Sequence, residues 1–553
     1  MTTIPLAIIT ILWLTFAYKI YGSIIDKKII QPDDSNITPA VSKNDGIDYC
    51  PTKPFILFGH HFSSIAGAGP IIGPVAAMLA FGWGVSFLWL LAGVVFIGAV
   101  HDYFASIISI RNGGRSIADV AEKYAGKRTR LLFLSFIWLA LLLVIAVFGV
   151  VAAKTLMSQP TIVVPTFSLI FIAMAFGLLV NKCNMHIFIA TVISLLLLSF
   201  FVWIGFKYPI LLPFSKAINF KVWFVILMFY GLVASSLPVW ILLQPRDYIC
   251  NWILILGLLL GFVGLFTTNY EIGAPFIKDC FSQKHGPIWP SLFILIACGA
   301  ISGFHSIVAS GTTAKQIAKE SHAKIVVFGG MLLEGGLAVL ALLCVSAGLS
   351  WASGNSEMVS VSKLLSQKAS PIKVFSEGYA RFLVNIVSIS IGVAFATLML
   401  NAFVMTTLDT SVRLSRFIAA ELFSGFIPLL KNRWLAAVIC IIPAYWLGAS
   451  GGWKEIWPVF GASNQLVAAL ALIIATAYLV SKKKPTKYTL IPAAIMLITS
   501  IASLSYQAYS FIFIEKKEIL AFICIILLIL ATIIVIDTIK FLKRNEVFSD
   551  KLK

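Results

Sequence analysis

A hydrophobic run that no intact helix can traverse, Phe58-Gly-His-His-Phe-Ser-Ser-Ile-Ala-Gly-Ala-Gly-Pro-Ile-Ile-Gly-Pro74, restricts this chain more than any other stretch. Gly67, Gly69 and Gly73 weaken a helix, and Pro70 and Pro74 each remove an amide donor and crowd the preceding turn. In hydrocarbon the freed backbone groups find no water, so such a break survives only where it is buried in protein or lines a wet cavity. Interrupted helices of this kind form the substrate and ion sites of secondary transporters. A proline-kinked span without a ligand is the plainer reading, and a matching break elsewhere argues against it.

The rest of the chain suits that setting. With 59% hydrophobic and 12% charged residues over 553 positions, a polytopic membrane protein is expected. The net charge of +19 lies in short segments between apolar runs, which is a positive-inside pattern and not a nucleic-acid surface. Eight cysteines without a CxxC pair indicate neither a disulfide framework nor a zinc site. The N-terminal apolar run, with no basic leader and no clear small-residue cleavage site, reads as a retained helix.

About fifteen spans of roughly 20 residues are predicted. They run Ile4 to Ile20, Phe55 to Phe81, Val85 to Ile108, Leu131 to Ala153, Ile162 to Val180, His186 to Gly205, Val222 to Leu243 and Trp252 to Phe266. Then follow Trp289 to Ser310, Ile325 to Leu349, Leu383 to Leu408, Trp434 to Leu447, Ile456 to Val480, Tyr488 to Leu504 and Ile519 to Ile539. Arg111 to Arg130, Lys315 to Lys324, Arg413 to Arg433, Lys482 to Lys484, and Lys540, Lys543 and Arg544 fall in alternate loops. That places the N-terminus outside and the C-terminus in the cytoplasm. Three parts follow: an N-terminal helix with a cytoplasmic segment over 1–54, a core over 55–480, and C-terminal helices with a short cytoplasmic tail over 481–553.

Phe62-x-Ser-Ile-x-x-x-Gly69 recurs as Phe304-x-Ser-Ile-x-x-x-Gly311, in a span predicted to run the opposite way. Oppositely directed broken helices are what an inverted repeat requires. Beyond this echo, Phe58 to Pro70, Leu243-Gln-Pro-Arg-Asp-Tyr248, Ser302-Gly-Phe-His305 with Ser310-Gly-Thr-Thr313, Thr407-Leu-Asp-Thr410 and Trp457-Pro-x-Phe-Gly-x-x-Asn-Gln465 resemble signatures of the carbon starvation protein A family. The resemblance runs in order from about Ala40 to Val480. It implies an inner-membrane uptake transporter for peptides, with relatives that take up pyruvate, induced when preferred carbon runs out. It also implies the amino acid, polyamine and organocation transporter superfamily: an all-α membrane protein with a LeuT-like five-plus-five inverted-repeat core containing broken helices.

Substrate contact is expected at Ser63, Ser64, Gly67, Gly69, Phe304, His305, Ser306 and Thr312, where half-helix N-termini present amides to a carboxylate. A coupling ion or proton is expected at His60, His61, Thr406, Thr407, Asp409 and Thr410; Asp409 is read either as a ligand or as a partner of Arg413 on the same helix face. Gln244, Arg246 and Asp247 read as a helix end closed by Pro245 with an interfacial ion pair, or as a gate. Adjacent histidines share no helical face and no His-Glu-x-x-His occurs, so no metal site is expected; proton exchange suits His60, His61 and His305, and a structural role suits His101. Trp457 reads as an interfacial anchor, and Asn464 and Gln465 as bonds between helices.

A symporter for small peptides or pyruvate, driven by H⁺ or Na⁺ and surrounded by lipid, is therefore the leading reading, with no cofactor and no enzymatic set. A channel lining the same polar path and a membrane sensor are the alternatives.

Overall fold

The computed structural model describes residues 1–351, 359–367, 369–450 and 453–550, with side chains undescribed at 453–455 and 541–550. Part of the expected Ser350 to Arg381 loop and the Lys543 and Arg544 side chains lie outside the described residues.

The described chain is almost wholly helical, its sheet content a two-stranded pairing of Phe281–Ser282 with Gly286–Pro287. Thirteen described helices are long and apolar enough to cross a membrane. The two remaining predicted spans take other forms. One is the segment 288–311, cut into Ile288–Leu295, Ala297–Ile301 and Gly303–Gly311, and the other is the 17-residue helix Arg433–Ala449.

The first break falls where the sequence placed it. Pro54–Ile65 stops and Gly69–Phe81 begins, with Pro70 in its first turn, where an amide is not needed. Pro74 does not end the helix as its residue type suggested; only about one turn from the start, it costs a single intrahelical bond. The second break lies at Ser302, whose extended backbone separates Ala297–Ile301 from Gly303–Gly311.

The two broken spans cross antiparallel at their interruptions. A Cβ on Gly69 would overlap Cys298, one on Gly73 would overlap the Leu295 carbonyl, and one on Gly299 would come 3.0 Å from the Pro70 Cα. Glycine is required there because two backbones approach within side-chain distance. The sequence echo is corrected by this geometry: Phe62 precedes the first break, whereas Phe304 follows the second. The similar residues therefore do not occupy equivalent positions about the two interruptions, and the echo carries no argument for the repeat.

Loop contacts sort into two ends. At one end the Thr3 amide donates to the Tyr270 carbonyl, Trp83 and Gly84 to Pro275 and Phe276, and Gly273 to Ser346. The Gly82 turn, at φ 107°, is held against this loop. At the other end Arg111 binds Glu320 at 2.8 Å and the Gln31 carbonyl at 2.9 Å, Cys50 donates to Lys315, and Ser116 donates to Glu421.

A buried charge cluster at the first break

The first break exposes carbonyls that the long helix Ile389–Phe423 satisfies. Thr406 Oγ1 donates to the Ser63 carbonyl at 2.6 Å, and Thr407 Oγ1 donates to that of Ser64 at 3.2 Å. Gly67 faces the same helix, since a Cβ there would come 2.6 Å from Thr407 Oγ1 and 2.9 Å from the Phe148 ring. Thr410 Oγ1 lies 3.3 Å from Ser64 Oγ.

One turn further on, Asp409 meets Arg246 from Leu243–Thr268. Arg246 forms a fork, Nη1 and Nη2 on the two oxygens of Asp409 and Nη2 on Asp247 at 2.6 Å. Tyr230 donates to Asp409 at 2.7 Å. Asp247 in turn receives His60 Nδ1 at 2.6 Å, and its backbone carbonyl accepts from Ser63 Oγ at 3.0 Å. Arg246 is 2% exposed and both aspartates 0%. A planar guanidinium suits two carboxylates at once, and charges removed from water persist only when paired in this way.

Two expectations are corrected here. Asp409 does not pair with Arg413; Arg413 bonds Asp48 at 2.7 Å and the Leu237 carbonyl. The i to i+4 spacing made Arg413 the local candidate, but in a low-dielectric interior each charge takes the partner that folding brings beside it. Arg246 and Asp247 are not interfacial, and Pro245 opens a helix instead of closing one: the preceding helix ends at Ser236, and Leu243 begins the next.

The structure divides the remaining candidates. His60, Ser63, Ser64, Thr406, Thr407, Asp409, Thr410, Arg246 and Asp247 form one cluster. His61 faces away, its Nδ1 2.9 Å from Thr313 Oγ1. Phe304, His305, Ser306 and Thr312 belong to the second broken span, where Ser306 and Thr312 hydroxyls donate to the Gly303 and Val308 carbonyls of their own helix. Asn464 does bond between helices, accepting from the Phe304 amide at 2.7 Å and donating to Ser302 at 2.9 Å. Gln465 is buried with no described partner for its amide, and Trp457 is buried, at 6% exposure, and not an interfacial anchor. His101 is buried with its Nδ1 2.7 Å from its neighbour Asp102.

Gln244 belongs to a third group at the loop end. It donates to Thr52 Oγ1 at 3.0 Å and to Gln316 Oε1 at 2.6 Å, while the Thr52 amide donates to the Gln316 carbonyl. Asp45 shapes this segment by accepting from the amides of Ile47, Asp48 and Tyr49, which aims Asp48 at Arg413. Together these contacts latch segment 45–53 to Leu243–Thr268, to Ile389–Phe423 and to the turn at Gln316, beside a cavity of about 670 Å³ lined by Cys50, Thr52, Gln244 and Tyr248. Burial and the Asp45 and Asp48 carboxylates push the Cys50 thiol up to about 11. In a Cys183→Ser, Cys280→Ser background, its alkylation rate should rise about tenfold per pH unit up to that value, since the thiolate is the nucleophile. Asp48→Asn should raise the rate at pH 8 by removing one carboxylate and the latch; an unchanged rate would show that Asp48 holds neither.

Sequence reasoning passed over Tyr230, Asp48 and Glu334. Glu334 was open to detection as an acid within an apolar span; Tyr230 and Asp48 carried no local signal.

Broken helices crossing at their interruptions, with a charge cluster packed against one of them, define the fold of a multi-pass helical membrane protein. The solved structure of MhsT in complex with L-phenylalanine shares this fold, with a TM-score of 0.51 at 14% identity, covering 82% of this chain and 97% of that one. The chain belongs to the carbon starvation protein CstA family, which it matches over residues 2–351 and 350–503. It is 32% identical to the pyruvate/proton symporter BtsT of Escherichia coli K12, over 89% of this chain and 80% of that protein. It is also 32% identical to the peptide transporter CstA of Bacillus subtilis 168, over 90% of this chain and 89% of that one.

Proposed function

We propose that this protein is a proton-driven secondary transporter that imports small peptides across the cytoplasmic membrane during carbon starvation. The observation that carries the reading is the buried Arg246–Asp409–Asp247–His60 network, which ties the broken span Pro54–Phe81 to two other helices. Arg246 supplies a fixed cation between the two aspartates, and the Thr406 and Thr407 hydroxyls already occupy the freed carbonyls. This favours a proton passing through His60 and Asp247 over a sodium ion at the same carbonyls. The relative named a pyruvate/proton symporter supports the same ion, and makes pyruvate the second substrate reading.

Alternating access follows from an inverted repeat in which Pro54–Phe81 answers to 288–311, Trp83–Arg111 to Lys324–Gly348, Lys127–Ser158 to Ile389–Phe423, Lys216–Ser236 to Arg433–Ala449, and Leu243–Thr268 to Trp453–Ser481. Packing supports this pairing. Gly69–Phe81 lies on Gly329–Gly348 as Gly303–Gly311 lies on Ala99–Arg111. Leu243–Thr268 lies on Pro54–Ile65 and Ile389–Phe423, as Trp453–Ser481 lies on 288–301 and Lys127–Ser158. Val163–Asn181 and Ile187–Lys207 stand outside the repeat.

The basic loop end faces the cytoplasm, with the N-terminus outside. A cysteine placed between Arg111 and Arg130 should resist a membrane-impermeant thiol reagent in intact cells, and one beside Lys278 should react. The reverse pattern would overturn the orientation.

The test of function is uptake in proteoliposomes, crossing di- and tripeptides and pyruvate with pH and Na⁺ gradients. Accumulation driven by the pH gradient alone, together with counterflow of labelled substrate, is expected. Flux without counterflow would mean a channel, and dependence on Na⁺ would move the coupling ion.

A further inference from the structure

A second group of buried ionisable side chains lies on the far side of the second break. Asp102 on Ala99–Arg111, His305 on Gly303–Gly311 and Glu334 on Gly329–Gly348 converge there. His305 Nδ1 is 3.5 Å from Asp102 Oδ2, 3.4 Å from Glu334 Oε2 and 3.1 Å from Met331 Sδ. Both acids are 0% exposed, and neither Glu334 oxygen has a hydrogen-bond partner among the described residues.

The groups around His305 Nδ1 are two carboxyls and a thioether. That single ring nitrogen offers at most one N–H to the two carboxyls. Two carboxylates and a neutral histidine would moreover leave two negative charges with no counter-charge in a dry interior. The group therefore holds a proton beyond its fully deprotonated state. Asp102 has two imidazoles at hand, His101 at 2.7 Å and His305, whereas Glu334 has only His305. The remaining titratable groups facing the cluster are His61 from Pro54–Ile65 and Cys298 from Ala297–Ile301, neither a fixed cation.

We propose that Asp102, His305 and Glu334 form a proton-binding site separate from the Arg246 cluster, with Glu334 carrying the proton as a neutral carboxylic acid. Nitrogen and thioether neighbours suit a proton and not an alkali cation, which takes oxygen ligands. Because His305 is carried on the half-helix Gly303–Gly311 that follows the second interruption, while Asp102 and Glu334 lie on two other helices, movement at that interruption changes which acceptor its ring meets. Proton transfer from Glu334 Oε2 to His305 Nδ1 breaks one O–H bond and forms one N–H bond, with no other reactant.

The proton is argued from these contacts alone; only its use rests on the transporter reading. Infrared spectroscopy of the purified full chain in lipid nanodiscs tests it directly. At neutral pH the wild type should show a protonated-carboxyl stretch that shifts in D₂O and is lost in Glu334→Gln. In Asp102→Asn the facing negative charge is gone, so the same band should titrate away at lower pH than in wild type. A Glu334→Gln spectrum that keeps the full wild-type band overturns the proposal. Where that variant does not fold, an unchanged titration in Asp102→Asn overturns it. Proteoliposome uptake separates the two readings: wild-type protein that moves neither dialanine nor pyruvate defeats the transporter, whereas the infrared result judges the proton site by itself.

Discussion

Arg246→Gln is expected to destabilise the protein by about 3–5 kcal/mol and to abolish uptake, because it leaves Asp409 and Asp247 buried together without their cation. Asp409→Asn should be far milder in stability, since Arg246 keeps Asp247 as a partner at 2.6 Å. Its cost should fall on accumulation, with exchange of substrate preserved. Combining the two changes should recover about 1–3 kcal/mol relative to the sum of the single changes, as residues in one network couple. Denaturant unfolding of the purified variants reads the stabilities, and an Arg246→Gln protein as stable as wild type would remove the network from the account. Arg413→Gln combined with Asp409→Asn should give no rescue, because Arg413 serves Asp48 at the loop end.

The second large effect is steric. Gly69→Ala places a methyl group onto Cys298 where the broken spans cross, and overpacking of this kind costs about 1–3 kcal/mol or more. Yield and thermal stability should fall together with transport, so the larger Gly67→Leu, Gly69→Leu pair would impair folding as well as the site. Removing the obstacle in Gly69→Ala, Cys298→Gly should restore much of the loss. Size-exclusion profiles after heating measure it, and full stability of Gly69→Ala alone would show that the two spans do not cross this closely.

Much of the architecture was legible because bilayer physics writes it locally. Runs of apolar residues marked the helices, and Gly67, Gly69 and Pro70 marked an interruption that no distant residue had to explain. Asn464 was legible for the same reason: an amide in an apolar helix needs a partner on another helix. The charge pairing was not legible. A helical-wheel rule sees four residues along one helix and offered Arg413 to Asp409, whereas Arg246 arrives from 163 positions away. Gln244 to Tyr248 misled because a proline beside two charges looks like an interface, and only tertiary packing shows that the segment starts a buried helix. The Phe62 and Phe304 echo misled differently: small and apolar residues recur easily, and the backbone breaks on opposite sides of the two copies.

Ile389–Phe423 is a single helix of 35 residues, and Asp409 and Arg413 sit one turn apart on it. At about 1.5 Å of rise per residue, roughly 6 Å of continuous backbone separates the buried charge cluster from the Asp48 latch. A rod does not need a relay. Any tilt that loosens the grip of Arg246 on Asp409 swings Arg413 through a comparable arc, so the buried cluster and the Asp48 contact report one displacement.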